Sequence, residues 1–201
     1  MLKFDELLQI CDTLLGPNGC PWDKEQTLET LKPYLLEETH ELLEALDLEE
    51  NEKIQEELGD CFYTLIFLAK LGEQNGIFTL SEVFRISIEK LIRRHPHVFA
   101  KLKVESTDDV MKNWEEIKKK EGKKSPIAGI PPSLPALARA QKIISKLRRA
   151  KKEPPLAPTV RSEEELGERL WGLVREAESL GIDAESALRR ACLEKSWQEE
   201  K

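Results

Sequence analysis

The chain has 201 residues, a formal net charge of −7 and a 40% share of hydrophobic residues. That length allows one large or two small domains, and the acidic balance argues against a nucleic-acid backbone as partner. No stretch reaches the roughly 18 consecutive apolar residues of a membrane span. The N-terminal MLKFDELLQICDTLL carries acids and no small-residue cleavage pattern, so it does not read as a signal peptide. Cys11, Cys20, Cys61 and Cys192 form no CxxC pair; they read as reduced thiols of a cytoplasmic protein, not as a disulfide framework or zinc site. Leu, Glu, Lys, Ala and Arg dominate, which favours an all-α fold.

In chain order, residues 4–15 read as an amphipathic helix, with Phe4, Leu7, Leu8, Cys11, Leu14 and Leu15 on the helical period. GPNG at 16–19 stops it, and CPWDKEQT follows as a loop. The next helix starts between Thr27 and Pro33, because proline is comfortable in a first turn. Its apolar stripe is Leu35, Leu42 and Leu46, with Leu36 and Leu43 beside it. After a polar break at 47–51, a third helix carries Ile54, Leu58, Cys61, Phe62, Leu65, Leu68 and Ala69 on one side. It continues as a nearly all-apolar run, as a buried central helix does, and Gly72 to Gly76 ends it. A fourth helix spans 80–94 with Val83, Phe84, Ile88, Leu91 and Ile92 inward, broken by His95-Pro96-His97. Thr107-Asp108-Asp109 opens a fifth, its acids at the positive end of the dipole; it carries Val110, Met111, Trp114 and Ile117. Residues 122–135 read as a linker, 135–149 as a basic helix and 151–158 as a proline-rich spacer. The segment 163–197 reads as two helices split at Gly181-Ile182-Asp183.

The chemistry concentrates in residues 35–71. Glu37, Glu38 and Glu41 lie on the helix before the polar break, and Glu57 and Asp60 on the helix after it. Pairs spaced i, i+3 share a helical face, so antiparallel packing makes these carboxylates converge. A cluster of that kind repels itself unless a cation fills it, and carboxylate oxygens suit a hard ion such as Mg²⁺ or Mn²⁺. Any EExxE is more often a solvated face, but Asp60 runs directly into CFYTLIFLA, where an unpaired acid is uncommon.

Other polar residues have plainer readings. Glu37 and His40 give one ExxH, but di-iron bundles need two, and His40 reads as a helix-surface residue. His95 and His97 read as loop and capping residues. Lys90, Arg93 and Arg94 either complement a helix C-terminus or meet a phosphate chain. Trp114, four residues before Lys118, is either core or the edge of a site, and Trp22 has the same two readings. GxxxxGK[ST] does not occur in the chain, so nucleotide chemistry here would not use a P-loop.

The ordered set EExxE (Glu37, Glu38, Glu41) and ExxD (Glu57, Asp60), with GCPWDKEQT at 19–27, EELGD at 56–60, RRHPHVF at 93–99 and SLPALARAQK at 133–142, resembles the MazG family of nucleoside triphosphate pyrophosphohydrolases. The resemblance implies an all-α helical bundle that hydrolyses NTPs or dNTPs to the monophosphate and pyrophosphate with Mg²⁺, or Mn²⁺ in its place, in nucleotide-pool cleaning. It implies Glu38, Glu41, Glu57 and Asp60 as metal ligands and Glu37 as a supporting carboxylate that orients or deprotonates water. Lys90, Arg94, Trp114 and Lys118 match positions near the nucleotide. It also implies a homodimer. Two acid-bearing helices cannot bury all their apolar surface alone, which agrees.

The C-terminus departs from the family pattern. RSEEELGERL at 161–170 keeps Glu165 but has Glu168 where Asp is expected, and no second EExxE helix precedes it. ALRRACLEKSWQEEK keeps Lys195 and has Glu199 where a basic residue is expected. The expected division is a catalytic domain at 1–121, a linker with one basic helix at 122–158, and a catalytically dead helical remnant at 159–201. Two other functions fit the residues less closely: a non-catalytic helical interaction protein, and a narrow-substrate enzyme of the same fold acting on dUTP or a phosphoribosyl-ATP.

Overall fold

The computed structural model describes residues 3–122, 125, 127–150 and 158–200, without the side chains of residues 119 and 196–200. Among the described residues the secondary structure is helical, with no strand, so the all-α expectation holds. The chain divides into two compact units, Met1–Lys103 and Val104–Lys201.

The first unit holds α1 (Lys3–Leu15), α2 (Pro21–Lys24), α3 (Lys32–Asp47), α4 (Asn51–Gln74), α5 (Leu80–Arg94) and α6 (Pro96–Phe99). Its core joins Cys11 and Leu15 of α1 to Ile66, Phe67 and Leu71 of α4, with Leu31 closing one end. Burying such side chains contributes about 1.5–3 kcal/mol each. Lys70 bridges Asp12 at 2.9 Å and Glu73 at 3.3 Å, pinning α4 to α1. The α3–α4 hairpin meets at Ala45, which is fully buried; a small side chain there lets the two backbones approach.

Two short helices occupy stretches read as loop or break. Pro21 sits in the first turn of α2, where its missing N–H costs nothing, and the same holds for Pro96 in α6. Gly19 is required by close approach: a Cβ there would lie 2.0 Å from the Leu14 carbonyl oxygen. α4 runs to Gln74, inside the stop read at Gly72 to Gly76, and Gly72 makes room for the Phe78 ring, which a Cβ would meet at 2.4 Å. Gly76, at φ 65°, makes the actual stop.

The apolar periodicity misassigned part of the core. Val83, Phe84, Ile88, Leu91 and Ile92 of α5, expected inward, are exposed, as are Leu58, Phe62 and Leu65 of α4. The buried side of α4 is Thr64, Ile66, Phe67, Ala69 and Leu71. The run is apolar all round, and α1 covers only one face of it, so the period alone cannot choose the stripe.

The second unit holds α7 (Thr107–Lys120), α8 (Ala136–Arg149), α9 (Glu163–Ser179) and α10 (Ala184–Glu200). Its core is Ile127, Ile143, Leu147 and Cys192, with Ile130 and Leu188 packed against it. Ile127 and Ile130 belong to the stretch read as a linker. Most of the proline-rich spacer, at 151–157, lies outside the described residues, as do the side chains of Trp197 and Glu199. Glu185 caps α8: both carboxylate oxygens accept from the Ala136 N–H, at 2.8 and 3.0 Å.

Candidate metal centre

The hairpin positions the acids. Along α3 the side facing α4 runs through Leu31, Leu35, Glu38, Leu42 and Ala45, so Glu38 is half-buried while Glu37 and Glu41 are exposed beside it. On α4, Glu57 is 7% exposed. Carboxylate oxygens of Glu38, Glu41 and Glu57 all lie within 4.8 Å of one another. Asp60, one turn further along α4, is exposed and stands outside that group. Its charge nonetheless acts on Glu38.

The electrostatics are those of a crowded acidic site. Desolvation pushes the Glu38 carboxyl above its ordinary range, and the charges of Asp60, Glu41, Glu57 and Glu37 push it further. Glu57 is raised by desolvation, then by Glu41, Glu56 and Asp60. Lys53 opposes this only weakly; its ammonium is held by Glu44 at 3.2 Å. Three carboxylate oxygens this close, two of them favouring the proton, fit a divalent cation, which would relieve both repulsion and desolvation.

The role of Cys61 between the two helices escaped the sequence reading. Its thiol donates to the Glu38 backbone carbonyl at 3.5 Å, a cross-link between the two acid-bearing helices. The only available signal was its place next to Asp60. Lys90 and Arg94 are half-buried along one side of α5, with Ser87 on the same stripe. Trp114 and Lys118 belong to the second unit, on α7. There the Lys118 ammonium stands over the Trp114 ring, 5.5 Å from its centroid, and 3.7 Å from Glu115. His40 is exposed on α3, in keeping with a helix-surface residue.

The second EELG, on α9, is wired differently. Glu165 gives one oxygen to Arg169 at 2.6 Å and the other to the Arg161 N–H at 2.9 Å. Arg169 fills the place that Cys61 has after EELGD, and it also reaches Thr159. Both oxygens of Glu165 are therefore already engaged, one by a fixed cation.

An all-α hairpin that gathers a cluster of carboxylates is the class of protein that this fold and site define. Residues 26–99 match the family model of the MazG nucleotide pyrophosphohydrolase domain. The chain is 41% identical over 211 residues to the Nucleoside triphosphate pyrophosphohydrolase/pyrophosphatase MazG of Thermotoga maritima, covering 94% of this chain and 81% of that protein. It is 46% identical over 144 residues to the uncharacterized protein YabN of Bacillus subtilis; that match takes in 70% of this chain and only 29% of YabN. The crystal structure of a mazG-related protein from Thermotoga maritima superposes with a TM-score of 0.52 at 30% identity, over 57% of this chain and 98% of that one. This chain belongs to the MazG family.

Proposed function

We propose that the chain hydrolyses nucleoside triphosphates, NTPs or dNTPs, to the monophosphate and pyrophosphate, as a house-cleaning enzyme of the nucleotide pool. The observation that carries this is the convergence of Glu38, Glu41 and Glu57 across the α3–α4 hairpin in a MazG-family chain. Glu38, Glu41, Glu57 and Asp60 hold the metal, with Mg²⁺ as the ion of choice and Mn²⁺ as a substitute. When bound, the ion would neutralise charge on phosphoryl oxygens and ease the deprotonation of water. Glu37 orients that water or takes its proton. Lys90 and Arg94 stabilise charge on the leaving pyrophosphate, and Trp114 and Lys118 contact the nucleotide. No helix is long and apolar enough to cross a membrane among the described residues, and the proposed compartment is the cytoplasm.

The catalytic part is residues 1–121, joined by 122–158 to a remnant at 159–201 that packs but does not turn over substrate. The engaged carboxylate of Glu165 supports that reading. A homodimer completes the bundle: the exposed Leu43, Leu58, Phe62, Leu65, Ile88 and Leu91 need a cover, and a second copy of the hairpin supplies one.

The test is pyrophosphate release from a panel of NTPs and dNTPs, with Mg²⁺ and with EDTA, the products separated to tell monophosphate from diphosphate. Metal-dependent monophosphate and pyrophosphate are expected. Glu38→Gln and Asp60→Asn should each abolish turnover while the helical circular-dichroism signal stays; near-normal rates in both variants would refute the site.

A further inference from the structure

Among the described residues, α9 has no buried side chain. Leu173 is 62% exposed and Val174 50%. Leu166, Leu170, Leu173 and Ala177 recur at i, i+4, i+7 and i+11, which draws one apolar seam along the helix. A lone helix of this length gains little stability in water by itself, so the seam calls for a cover.

α9 and α4 can be laid in register on their shared EELG, at 164–167 and 56–59. On α4 the stripe that runs from Glu57 through Cys61 faces α3. Glu57 joins the carboxylate group with Glu38 and Glu41, and the Cys61 thiol reaches the Glu38 carbonyl. The matching stripe of α9 is Glu165, Arg169, Gly172 and Glu176, with Glu165 and Arg169 paired at 2.6 Å. That side is polar and suits water, as it must where no EExxE helix precedes it. The neighbouring stripe keeps its character: Leu58, Phe62 and Leu65 on α4 become Leu166, Leu170 and Leu173 on α9. The side that met a partner within the unit has been refitted for solvent, and the outward apolar side has not.

The charges beside the seam fit a second copy of the same helix, turned antiparallel. With Leu170 beside the second copy's Leu173, Leu166 meets Ala177 and Arg169 comes opposite Glu176, each contact made twice by two-fold symmetry. On the other flank Gly167 leaves room for Val174. A parallel pair would instead set the two acidic first turns, Glu163 to Glu165, side by side. In the antiparallel pair Glu163 and Glu178 approach at the ends of the seam, both exposed to water, where a charge pair counts for little.

We propose that α9 is a self-association helix, which pairs antiparallel with the α9 of a second copy through Leu166, Leu170, Leu173 and Ala177. This gives the remnant at 159–201 a use that needs no catalysis, and it does not depend on the pyrophosphohydrolase reading. A seam of this length is small, so it strengthens a dimer held elsewhere in the chain by raising the effective concentration of the two copies.

The experiment uses the full chain. Leu170→Cys and Leu173→Cys variants are made singly and also co-expressed, and each preparation is oxidised with copper phenanthroline. The co-expressed pair should give a covalent dimer beyond what wild type or either variant alone gives, because only the antiparallel register brings position 170 of one copy beside 173 of the other. No additional link in the co-expressed pair, or equal linking by either variant alone, overturns the seam. In sedimentation equilibrium, Arg169→Glu should raise the dimer dissociation constant roughly ten-fold, and adding Glu176→Arg should restore it. The helical circular-dichroism signal shows that each variant folds. An unchanged constant in Arg169→Glu, or no recovery in the double variant, overturns the pairing. Recovery cannot come from within one helix, because a change at 176 does not mend the lost Glu165–Arg169 pair. A wild type that is monomeric at every concentration overturns it as well.

Discussion

Glu38 shows what a half-buried acid among other acids costs the fold. Its carboxyl is held above the ordinary value of 4.5 by desolvation and four acidic neighbours. The folded chain therefore binds that proton more tightly than the unfolded chain. The stability this lends is fully present below the unfolded value and is lost as pH rises through the raised folded value. In EDTA near neutral pH, Glu38→Gln should melt a few degrees higher than wild type, and the gap should close as pH falls through the Glu38 titration. Added Mg²⁺ should raise Tm in wild type and not in the variant. A gap independent of pH would mean that Glu38 does not titrate as described. Arg139 of α8 is the opposite case. It is buried, and among the described residues its Nε and Nη1 find no hydrogen-bond partner. A buried charge without full compensation costs free energy, so Arg139→Met should hold or raise Tm. A drop of several degrees would reveal a partner for the guanidinium.

Three helix ends, those of α3, α4 and α9, close in the same way. α4 and α9 both close on the same pattern, with glycine in the left-handed region. Gly76 donates to Glu73 and Ile77 to Gly72; Gly181 donates to Glu178 and Ile182 to Ala177. α3 closes the same way, Glu49 donating to Leu46 and Glu50 to Ala45, but a glutamate stands at φ 56° where glycine is favoured. Glu49→Gly should therefore stabilise the chain by about 1 kcal/mol, read as a rise in Tm with unchanged turnover. At the other end of the hairpin unit, Thr79 and Glu82 form a reciprocal capping box on α5. Thr79→Ala should cost about 1 kcal/mol. Both end types were legible: the sequence places glycine at two of the three stops, and Thr79-x-x-Glu82 is a start signal. Pro21 and Pro96 opening short helices were not, because one helical turn leaves too few residues for any period.

For the whole molecule, the exposed apolar stripes on α3, α4 and α5 make one prediction together. The protein should run in solution at twice its 23.1 kDa chain mass, as measured by light scattering after gel filtration. Ile88→Asp with Leu91→Asp should shift it towards monomer and reduce turnover, because a charge in an apolar interface is costly to bury. A wild type that elutes as a stable monomer would leave the dimer without support. A chain ending after residue 152 tests the remnant: retained turnover and dimer mass are expected, and loss of turnover from a folded dimer would give 159–201 a part in catalysis.

The sequence by itself determined the helical class, the main helix boundaries and the carboxylates of the hairpin, because these depend on local spacing. Glu38 and Glu41 share a face of α3, and Glu57 and Asp60 a face of α4, whatever the packing; Leu80–Arg94 opens on its Thr79 capping box, and Lys3–Leu15 ends before Gly16. Tertiary structure decided which face each helix buries. The apolar run of α4 offers several stripes, and only the placement of α1 selects Ile66, Phe67 and Leu71. It also decided that Asp60 stands outside the tight carboxylate group while its charge reaches Glu38, and that Trp22 meets Tyr34. These are relations between elements, and they follow from how helices cross, which no spacing along one helix encodes.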